Sequence, residues 1–171
     1  MWTKKVNVKK ISPKGTKKQE DQLVIEKKTT LFLNNNKITD LYHTPQLEPE
    51  LCLGYLWGNH LISPNKTTLK QTPKEVHVTA EDYKPKNIPT NTPKLNLQDN
   101  TIFHLTAFFQ EKALLFKSTA ISESAALATN KDILFFAEDL TQMQAIYKVL
   151  GLAIKDKKQD LSTYHLLVSS K

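Results

Sequence analysis

The sequence predicts a single domain of the α/β class, in which helices cover a sheet. The segment from Lys131 to Ser169 has the pattern of a strand, an amphipathic helix and a second strand with short connections. Such a unit implies two parallel strands in a covered sheet. Residues 23–42 alternate apolar and polar side chains around three asparagines, which is typical of a β-hairpin. A chain of 171 residues can bury a core without disulfide bonds.

The first 22 residues are basic and contain few apolar side chains. The lysines of this segment are Lys4, Lys5, Lys9, Lys10, Lys14, Lys17 and Lys18. High charge with little apolar surface favours a mobile N-terminal tail, with residues 6–11 as a loose strand. We therefore place the start of the folded domain, residues 23–171, after this tail.

The hairpin and the segment after it contain the first strongly apolar stretches. Residues 34–36 are asparagines, which suit a turn with positive φ. Pro49 and Glu50 then open a helix whose residues 51–57 are apolar almost all round, so this helix should be buried. Cys52 lies within it, and a thiol in such a setting is a small buried hydrophobe rather than a nucleophile.

The second half of the chain begins with a weak strand and a polar stretch. Residues 81–100 are polar, spaced by prolines and without periodicity, which predicts a long linker. The other predicted elements are a strand at 75–79, a helix at 102–110, apolar pieces at 113–116 and 120–127, a strand at 132–137, a helix at 141–154 with Thr141 as its N-cap, and a strand at 164–168.

Composition argues against several classes of protein. All 24 basic residues are lysines, so the net charge of +7 comes without the guanidinium group that suits phosphate and guanine. Only four glycines occur, and no glycine-rich nucleotide loop is present. The single cysteine excludes an internal disulfide and a CxxC pair, and the scattered histidines favour no metal site. No long apolar run or export signal occurs, so we expect a cytoplasmic protein that does not enter a membrane. The absence of arginine leads us to expect no nucleic-acid partner.

Several stretches resemble the formate dehydrogenase accessory protein family, FdhD. The stretches that carry the resemblance are Glu26 to Leu33, Asn35, Thr44-Pro45, Glu50 to Leu56, Leu61-Ile62, Phe116 to Leu127, Glu138 to Gly151 and Leu166 to Ser169. They are similar to the family's first strand and turn, its Thr-Pro, its Glu-Leu-Ala-Leu-Gly-Phe-Leu helix, its Phe-x-x-Thr-Gly-Gly-x-His and Glu-Asp-Val-Gly-Arg-His motifs and the strand after them. The match is colinear over roughly residues 22 to 170.

The resemblance implies both a fold and an activity. Family members are sulfurtransferases that take sulfur from a cysteine desulfurase on a CxxC loop. They pass it to the molybdenum bis-guanine-dinucleotide cofactor before that cofactor enters formate dehydrogenase. Their fold is similar to that of the cytidine deaminases, a mixed sheet with helices on both faces. The family continues beyond Lys171, so we expect a C-terminally truncated domain in which a homodimer could supply the missing cover.

The chain departs from the family where its sulfur chemistry is located. No CxxC occurs before the helix at 102–110, and Cys52 falls at an alanine position, so we predict no catalytic residue. The resemblance predicts cofactor contacts at the motif positions that remain, which are Thr119, Glu138, Asp139 and Lys148, with no covalent cofactor and no metal. The two acids follow a strand and precede a helix, where α/β proteins bind ligands, although acids also suit a helix N-terminus electrostatically.

Several functions therefore remain open from the sequence. The first is an accessory protein in formate dehydrogenase maturation, with the dehydrogenase and a cysteine desulfurase as partners, and the absent CxxC argues against sulfur transfer by this chain. The second is a non-catalytic scaffold that binds the dehydrogenase, the cofactor or a full-length paralogue. The third and least favoured of these is a basic nucleic-acid binder, because a bias toward A and T in the coding DNA explains the lysines without any functional cause. A decayed gene product without function is the fourth.

Overall fold

The chain folds into strands and helices that alternate in the α/β manner. The computed structural model describes residues 2–63, 67–83, 97–157 and 160–169. In this part of the chain the elements are β1 (Thr3–Ser12), β2 (Gly15–Val24), β3 (Lys27–Leu33), β4 (Asn36–His43), α1 (Glu48–Gly58), β5 (Thr67–Gln71), β6 (Glu75–Ala80), α2 (Asp99–Lys112), α3 (Leu114–Thr119), β7 (Glu123–Ala128), β8 (Ile133–Asp139), α4 (Gln142–Lys155) and β9 (His165–Val168). The predicted α/β class is confirmed.

The strands of the described residues form three sheets. The hairpin of β1 and β2 is a sheet by itself, and the second sheet has the order β4-β3-β6-β5. This second sheet is mixed, because β3 and β6 are parallel while the outer pairs are antiparallel. The third sheet has the order β8-β7-β9, with β7 antiparallel to both neighbours. β8 and β9 thus run in the same direction, as the strand-helix-strand pattern predicts, but β7 lies between them.

Helices cover both faces of the third sheet. On one face, Phe135 of β8 packs with Ala145 and Val149 of α4. On the other face, Phe136 meets Phe109 of α2, with ring centroids 5.6 Å apart. Successive side chains of a strand point to opposite faces, so this pair of phenylalanines packs against two different helices. The predicted cover on both faces is confirmed for this sheet.

The predicted apolar helix, α1, is buried against the second sheet. Leu51, Cys52 and Leu56 have no exposed surface and pack with Leu31 and Val76 in the larger of the two apolar cores that the described residues form. Burial of a leucine side chain contributes about 1.5–3 kcal/mol to folding. The helix therefore forms because the sheet receives its apolar surface, and the prediction that it is buried is confirmed.

Two glycines allow α1 and α4 to meet backbone to backbone. A Cβ atom added at Gly54 would lie 1.8 Å from the Tyr147 carbonyl oxygen, and one added at Gly151 would lie 1.9 Å from the Glu50 carbonyl oxygen. α1 belongs to the larger core, whereas most of the buried face of α4 belongs to the smaller core around β7 and β8. This crossing therefore joins the two cores and sets the position of α4 at the end of β8.

The N-terminal segment differs from the predicted basic tail. β1 and β2 pair over their whole length, from Thr3 opposite Val24 to Ser12 opposite Gly15, and β2 contacts α3. The prediction weighed the lysines and overlooked the alternation that makes Val6 half-buried between exposed neighbours. An antiparallel ladder satisfies the backbone groups that face the partner strand, and lysine stems can lie along a strand face with their charges in water. The domain boundary predicted at residue 23 accordingly falls within β2.

Two predictions concerned connections. The asparagine turn is confirmed, because Asn34 and Asn35 have φ angles of 48° and 66° in the left-handed region. Residues 84–96 of the predicted linker lie outside the described residues, and its last two residues, Asp99 and Asn100, begin α2. No helix among the described residues combines the length and apolarity needed to cross a bilayer.

Candidate functional site

The carboxyl end of β8 contains a fully buried ion pair. Asp139 and Lys148 have no exposed side-chain surface, and the Lys148 Nζ lies 2.6 Å from Asp139 Oδ2. Asp139 Oδ1 accepts hydrogen bonds from the backbone N–H groups of Thr44 at 2.9 Å and Leu140 at 2.7 Å. The carboxylate therefore joins the end of β4 to the start of the loop before α4.

Lys148 is held by oxygen atoms on several sides. Besides Asp139, its Nζ donates to Thr44 Oγ1 at 2.6 Å, to the Thr44 carbonyl at 3.3 Å and to the Glu138 carbonyl at 3.4 Å. Burial lowers the pKa of Lys148, and the Asp139 carboxylate opposes that shift. A buried charge is tolerated when it is paired and hydrogen-bonded, as here. Lys148 is thus engaged with protein groups.

The buried polar chain continues from Thr44 into the second sheet. His43 Nδ1 lies 2.6 Å from the Thr44 carbonyl oxygen, and His43 Nε2 lies 2.9 Å from Thr29 Oγ1. Thr29 Oγ1 also hydrogen-bonds Glu48, whose second oxygen is 2.5 Å from Lys27 Nζ. Polar contacts therefore connect β3, β4 and α1 with β8 and α4 across the interior of the domain.

The buried histidine predicts how stability depends on pH. Burial lowers the pKa of His43, and the Lys148 charge adds to this, whereas the Thr44 carbonyl and the charges of Asp139 and Glu48 oppose it. The unfolded chain binds a proton at this position below about pH 6.5, while the folded chain does so only at lower pH. The stability that His43 contributes is therefore complete above the unfolded pKa of about 6.5 and is lost progressively as the pH falls from there to the lower pKa of the folded state. Urea unfolding at pH 7.5, 6.5 and 5.5 should show a steeper decline for the parent protein than for His43→Gln, and equal declines would contradict the assignment.

The Glu138 side chain caps the N-terminus of α3. Its Oε2 accepts from the Leu115 N–H at 2.8 Å, and its Oε1 accepts from the Phe116 N–H at 2.9 Å and from Ser122 Oγ at 3.0 Å. Thr119, at the end of the same helix, donates to the Leu115 carbonyl at 2.7 Å. The favourable interaction of a carboxylate with free amides at a helix N-terminus accounts for this contact.

The four predicted cofactor contacts are thus connected to one another through hydrogen bonds to protein groups. Glu138, Asp139 and Lys148 are buried and adjacent, and Thr119 connects to them through α3. Their polar side-chain atoms contact protein groups at the distances given above. Their contact with a cofactor stays a prediction, and these residues are placed to hold β8, α3 and α4 in position.

An open cleft of about 510 Å³ lies between α2, α3 and the start of β7. Its lining residues are Thr106, Phe109, Gln110, Ala113, Phe116, Lys117, Ser122, Glu123, Ser124, Val168 and Ser169. Ser169 Oγ donates to Glu123 Oε2 at 2.5 Å and accepts from the Ser124 N–H at 2.8 Å. Apolar walls with a few convergent polar groups are typical of a small-molecule site.

The sequence patterns did not lead us to predict a site at the polar lining of this cleft. The signal was the run Ser122-Glu123-Ser124 at the start of a strand that is otherwise alanine and leucine. Ala120 precedes it with φ of 59°, so the chain turns sharply out of α3 and presents this run at the cleft. Lys117 and Ser169 come from α3 and from the residue after β9, and only folding brings them to the same cleft.

Cys52 lies away from this cleft, inside α1. It has no exposed surface, and burial together with the charge of Glu48 raises the pKa of its thiol to about 12. A thiolate is the nucleophile in sulfur transfer, so a buried thiol with this pKa is inert. Within the part of the chain that the structure describes, no group of three or more His, Cys, Asp and Glu side chains is arranged to hold a metal ion.

Comparison with known proteins gives two matches of different kinds. The crystal structure of a candidate formate dehydrogenase accessory protein from Desulfotalea psychrophila is similar, with a TM-score of 0.85 and 17% sequence identity, over 99% of this chain and 74% of that one. At this identity the likeness shows the fold. No curated protein matches the sequence. The model of the FdhD/NarQ family matches residues 65–171, which include the cleft, β8 and α4. The chain therefore belongs to the FdhD/NarQ family.

Proposed function

We propose that the protein acts in the maturation of formate dehydrogenase as an accessory protein that does not itself relay sulfur. Membership of the FdhD/NarQ family carries the first part of this proposal, together with the likeness of the whole fold to a candidate formate dehydrogenase accessory protein. The complete burial of the single cysteine supports the second part, that the chain does not relay sulfur. The formate dehydrogenase polypeptide is the partner that the proposal requires.

Sulfur relay needs a thiolate that can reach a donor and then an acceptor. Cys52 is the only cysteine of the chain, it is completely buried, and its pKa is about 12. Serine, threonine and lysine cannot hold a transferable sulfur atom as a persulfide. A cysteine desulfurase would therefore have no acceptor on the native chain, unless α1 first left the second sheet.

The thiol of Cys52 should react only after unfolding. We expect no persulfide on the native protein after incubation with a cysteine desulfurase and cysteine, as measured by the mass of the intact chain. A thiol reagent should modify Cys52 in urea but not in buffer, because opening α1 exposes the leucine core. Cys52→Ala provides the blank for both assays. Persulfide on the native chain at a rate comparable with that of the unfolded chain would overturn the non-catalytic assignment.

We infer further that the cleft receives the guanine-nucleotide end of the molybdenum cofactor. Its volume of about 510 Å³ is in the range of sites for one ligand of nucleotide size. Lys117 is an exposed residue of the lining and supplies a cation for a phosphate. Ser122 and Ser124 are almost completely buried, and the Ser122 hydroxyl donates to Glu138, so these serines shape the wall of the cleft. The volume and the single cation suit one nucleotide, while the molybdenum chemistry belongs to the cofactor itself.

Glu138, Asp139 and Lys148 support this cleft from behind. Glu138 holds Ser122 and the first turn of α3, and the Lys148–Asp139 pair holds the end of β8. We assign them positioning roles toward any ligand, since their polar atoms are engaged with protein. Thr119 donates a hydrogen bond to the Leu115 carbonyl and so stabilises the last turn of α3.

Titration with GDP at two salt concentrations tests the cleft. Saturable binding is expected for the parent protein, and Lys117→Met should weaken it because a phosphate loses its cation. Lys131→Met is the matched control, since Lys131 is exposed in the turn at the other end of β7. Equal affinities for both variants, or no binding by the parent, would end the cofactor proposal.

A separate experiment tests the role in maturation. Immobilised formate dehydrogenase lacking its cofactor should retain this protein from a purified mixture, and an unrelated molybdenum-free dehydrogenase should not. Retention without GDP binding would leave a partner-docking scaffold. No retention would contradict the maturation proposal, whatever the outcome of the nucleotide titration. The same format tests a cysteine desulfurase and a second copy of the chain, the other partners that the family resemblance implies.

A further inference from the structure

The outer half of the N-terminal hairpin is a lysine surface without acidic residues. Every residue from 9 to 18 is exposed. The charged residues of this segment are Lys9, Lys10, Lys14, Lys17 and Lys18. We call residues 9–18 the hairpin tip. Five positive charges on one two-stranded ribbon concentrate a field that attracts anions.

The arrangement of charges in the hairpin tip lowers the stability of the folded hairpin. Lys9 lies directly opposite Lys18, and Lys10 lies directly opposite Lys17. Like charges in cross-strand positions destabilise a ribbon. The inner half of the same hairpin is different, because Lys5 forms a diagonal cross-strand ion pair with Glu20, the residue opposite Asn7, at 2.7 Å. The positive charge is thus balanced near the domain and unbalanced at the tip.

The backbone of this hairpin is also open to a further strand. In the described part of the chain, β1 and β2 pair only with each other. The register pairs Ser12 with Gly15 across a two-residue loop, and Ile25 N–H donates to the Trp2 carbonyl at 2.8 Å. The hydrogen-bonded pairs therefore fall on even-numbered residues of β1, and the N–H groups of Lys9 and Ile11 point outward. Unpaired edges of this kind accept strands from other chains.

We propose that the hairpin tip binds an extended acidic segment of a partner protein, which adds as a strand to the outer edge of β1. The lysines repel a second copy of the same hairpin and attract carboxylates, so charge selects the occupant of the edge. The inference is independent of the role in formate dehydrogenase maturation, because it rests on the hairpin alone.

Two other anionic partners fit the hairpin tip less well. Residues 3–24 contain no aromatic side chain on which a base could stack and no arginine that could grip a phosphate with two bonds. An anionic membrane would need an apolar anchor, and Ile11, 75% exposed, is the only large apolar side chain of the tip. Only a polypeptide can satisfy both the charges and the row of outward backbone groups.

Fluorescence anisotropy with a labelled peptide of five Glu-Thr repeats tests the proposal. The parent protein should bind the peptide, with an affinity that falls between 50 and 200 mM salt. The variant Lys9→Gln, Lys10→Gln, Lys17→Gln, Lys18→Gln should bind on the order of tenfold more weakly, since exposed charges act mainly by attraction at a distance. The control removes four exposed lysines elsewhere through Lys70→Gln, Lys74→Gln, Lys131→Gln and Lys157→Gln and should change affinity less than about twofold.

Further probes separate strand addition from simple charge attraction. The same peptide with N-methyl groups on alternate residues keeps its charge but cannot complete the ladder, so it should bind weakly. Equal binding of the methylated peptide would overturn strand addition at β1. The proposal would also be overturned by tighter binding of single-stranded DNA or anionic phosphatidylserine vesicles, or by equal effects of the two lysine variants. The hairpin-tip variant removes only repulsive cross-strand pairs, so circular dichroism should show it folded.

Discussion

Replacement of Gly54 by alanine should lower the free energy of unfolding by about 3 kcal/mol. Alanine is the better helix former by roughly 1 kcal/mol, so helix propensity alone predicts the opposite sign. The new Cβ atom, however, would lie 1.8 Å from the Tyr147 carbonyl oxygen and 2.9 Å from the backbone nitrogen of Gly151. Because these are backbone atoms of α4, relief requires the two helices to separate, and the contact between the two cores would be lost.

Gly58→Ala is the matched control on the same helix. Its Cβ atom would meet the Tyr147 ring at 3.1 Å and the Leu150 side chain at 3.3 Å, and side-chain atoms can shift where backbone atoms cannot. We expect a change within about 1 kcal/mol for this variant. Urea unfolding of both variants measures the difference. Comparable losses for Gly54→Ala and Gly58→Ala would show that the helix crossing is looser than the geometry indicates.

Lys148→Met should destabilise the domain by about 3–5 kcal/mol, the range observed when one member of a buried ion pair is removed. Methionine fills most of the space, so the loss comes from Asp139, which stays buried without its cation. The Thr44 hydroxyl and carbonyl lose a donor as well. The end of β4 should loosen from β8, and amide hydrogen exchange at Thr44 should rise in the variant.

Two further variants separate buried from exposed charge. Lys155→Met removes a half-exposed lysine of the same helix that pairs with Glu50 at 2.5 Å, and pairs of this kind contribute about 0–1 kcal/mol. The double variant Lys148→Met, Asp139→Asn removes both buried charges and should recover part of the stability lost in the single variant. A loss for Lys148→Met no larger than that for Lys155→Met would mean that water reaches the buried pair.

Most of the local structure followed from periodicity and capping. The helix predicted at 141–154 forms as Gln142–Lys155, and Thr141 accepts the Gln144 N–H as its N-cap. The asparagine turn and α1 likewise arise from short-range rules on positive φ and apolar surface. The hairpin at 3–24 was mistaken for a tail because charge density was weighed above alternation. The alternation of Val6 and Val8 with polar residues was the signal that distinguishes a strand from a tail, and both valines are half-buried in the structure.

The order of the strands within each sheet could not be predicted from periodicity and capping. The pattern from Lys131 to Ser169 correctly indicated that β8 and β9 run in the same direction, but it could not show that β7 pairs between them. Strand order depends on contacts between residues far apart in the chain, and no short pattern records them. For the same reason the family motifs indicated Glu138, Asp139 and Lys148 as one set. They could not show whether these side chains contact a ligand or one another.

The sequence by itself determined the α/β class, the family resemblance and the absence of any cysteine other than Cys52, because these depend on residue identity and local spacing. Only the tertiary structure decided which polar side chains are hydrogen-bonded to other protein groups and which side chains line the cleft. Asp139 meets Thr44 across 95 positions of the chain, and Ser124 meets Ser169 across 45. Such contacts form when the packing of helices on sheets brings distant polar groups together, since a buried polar group is stable only with a partner.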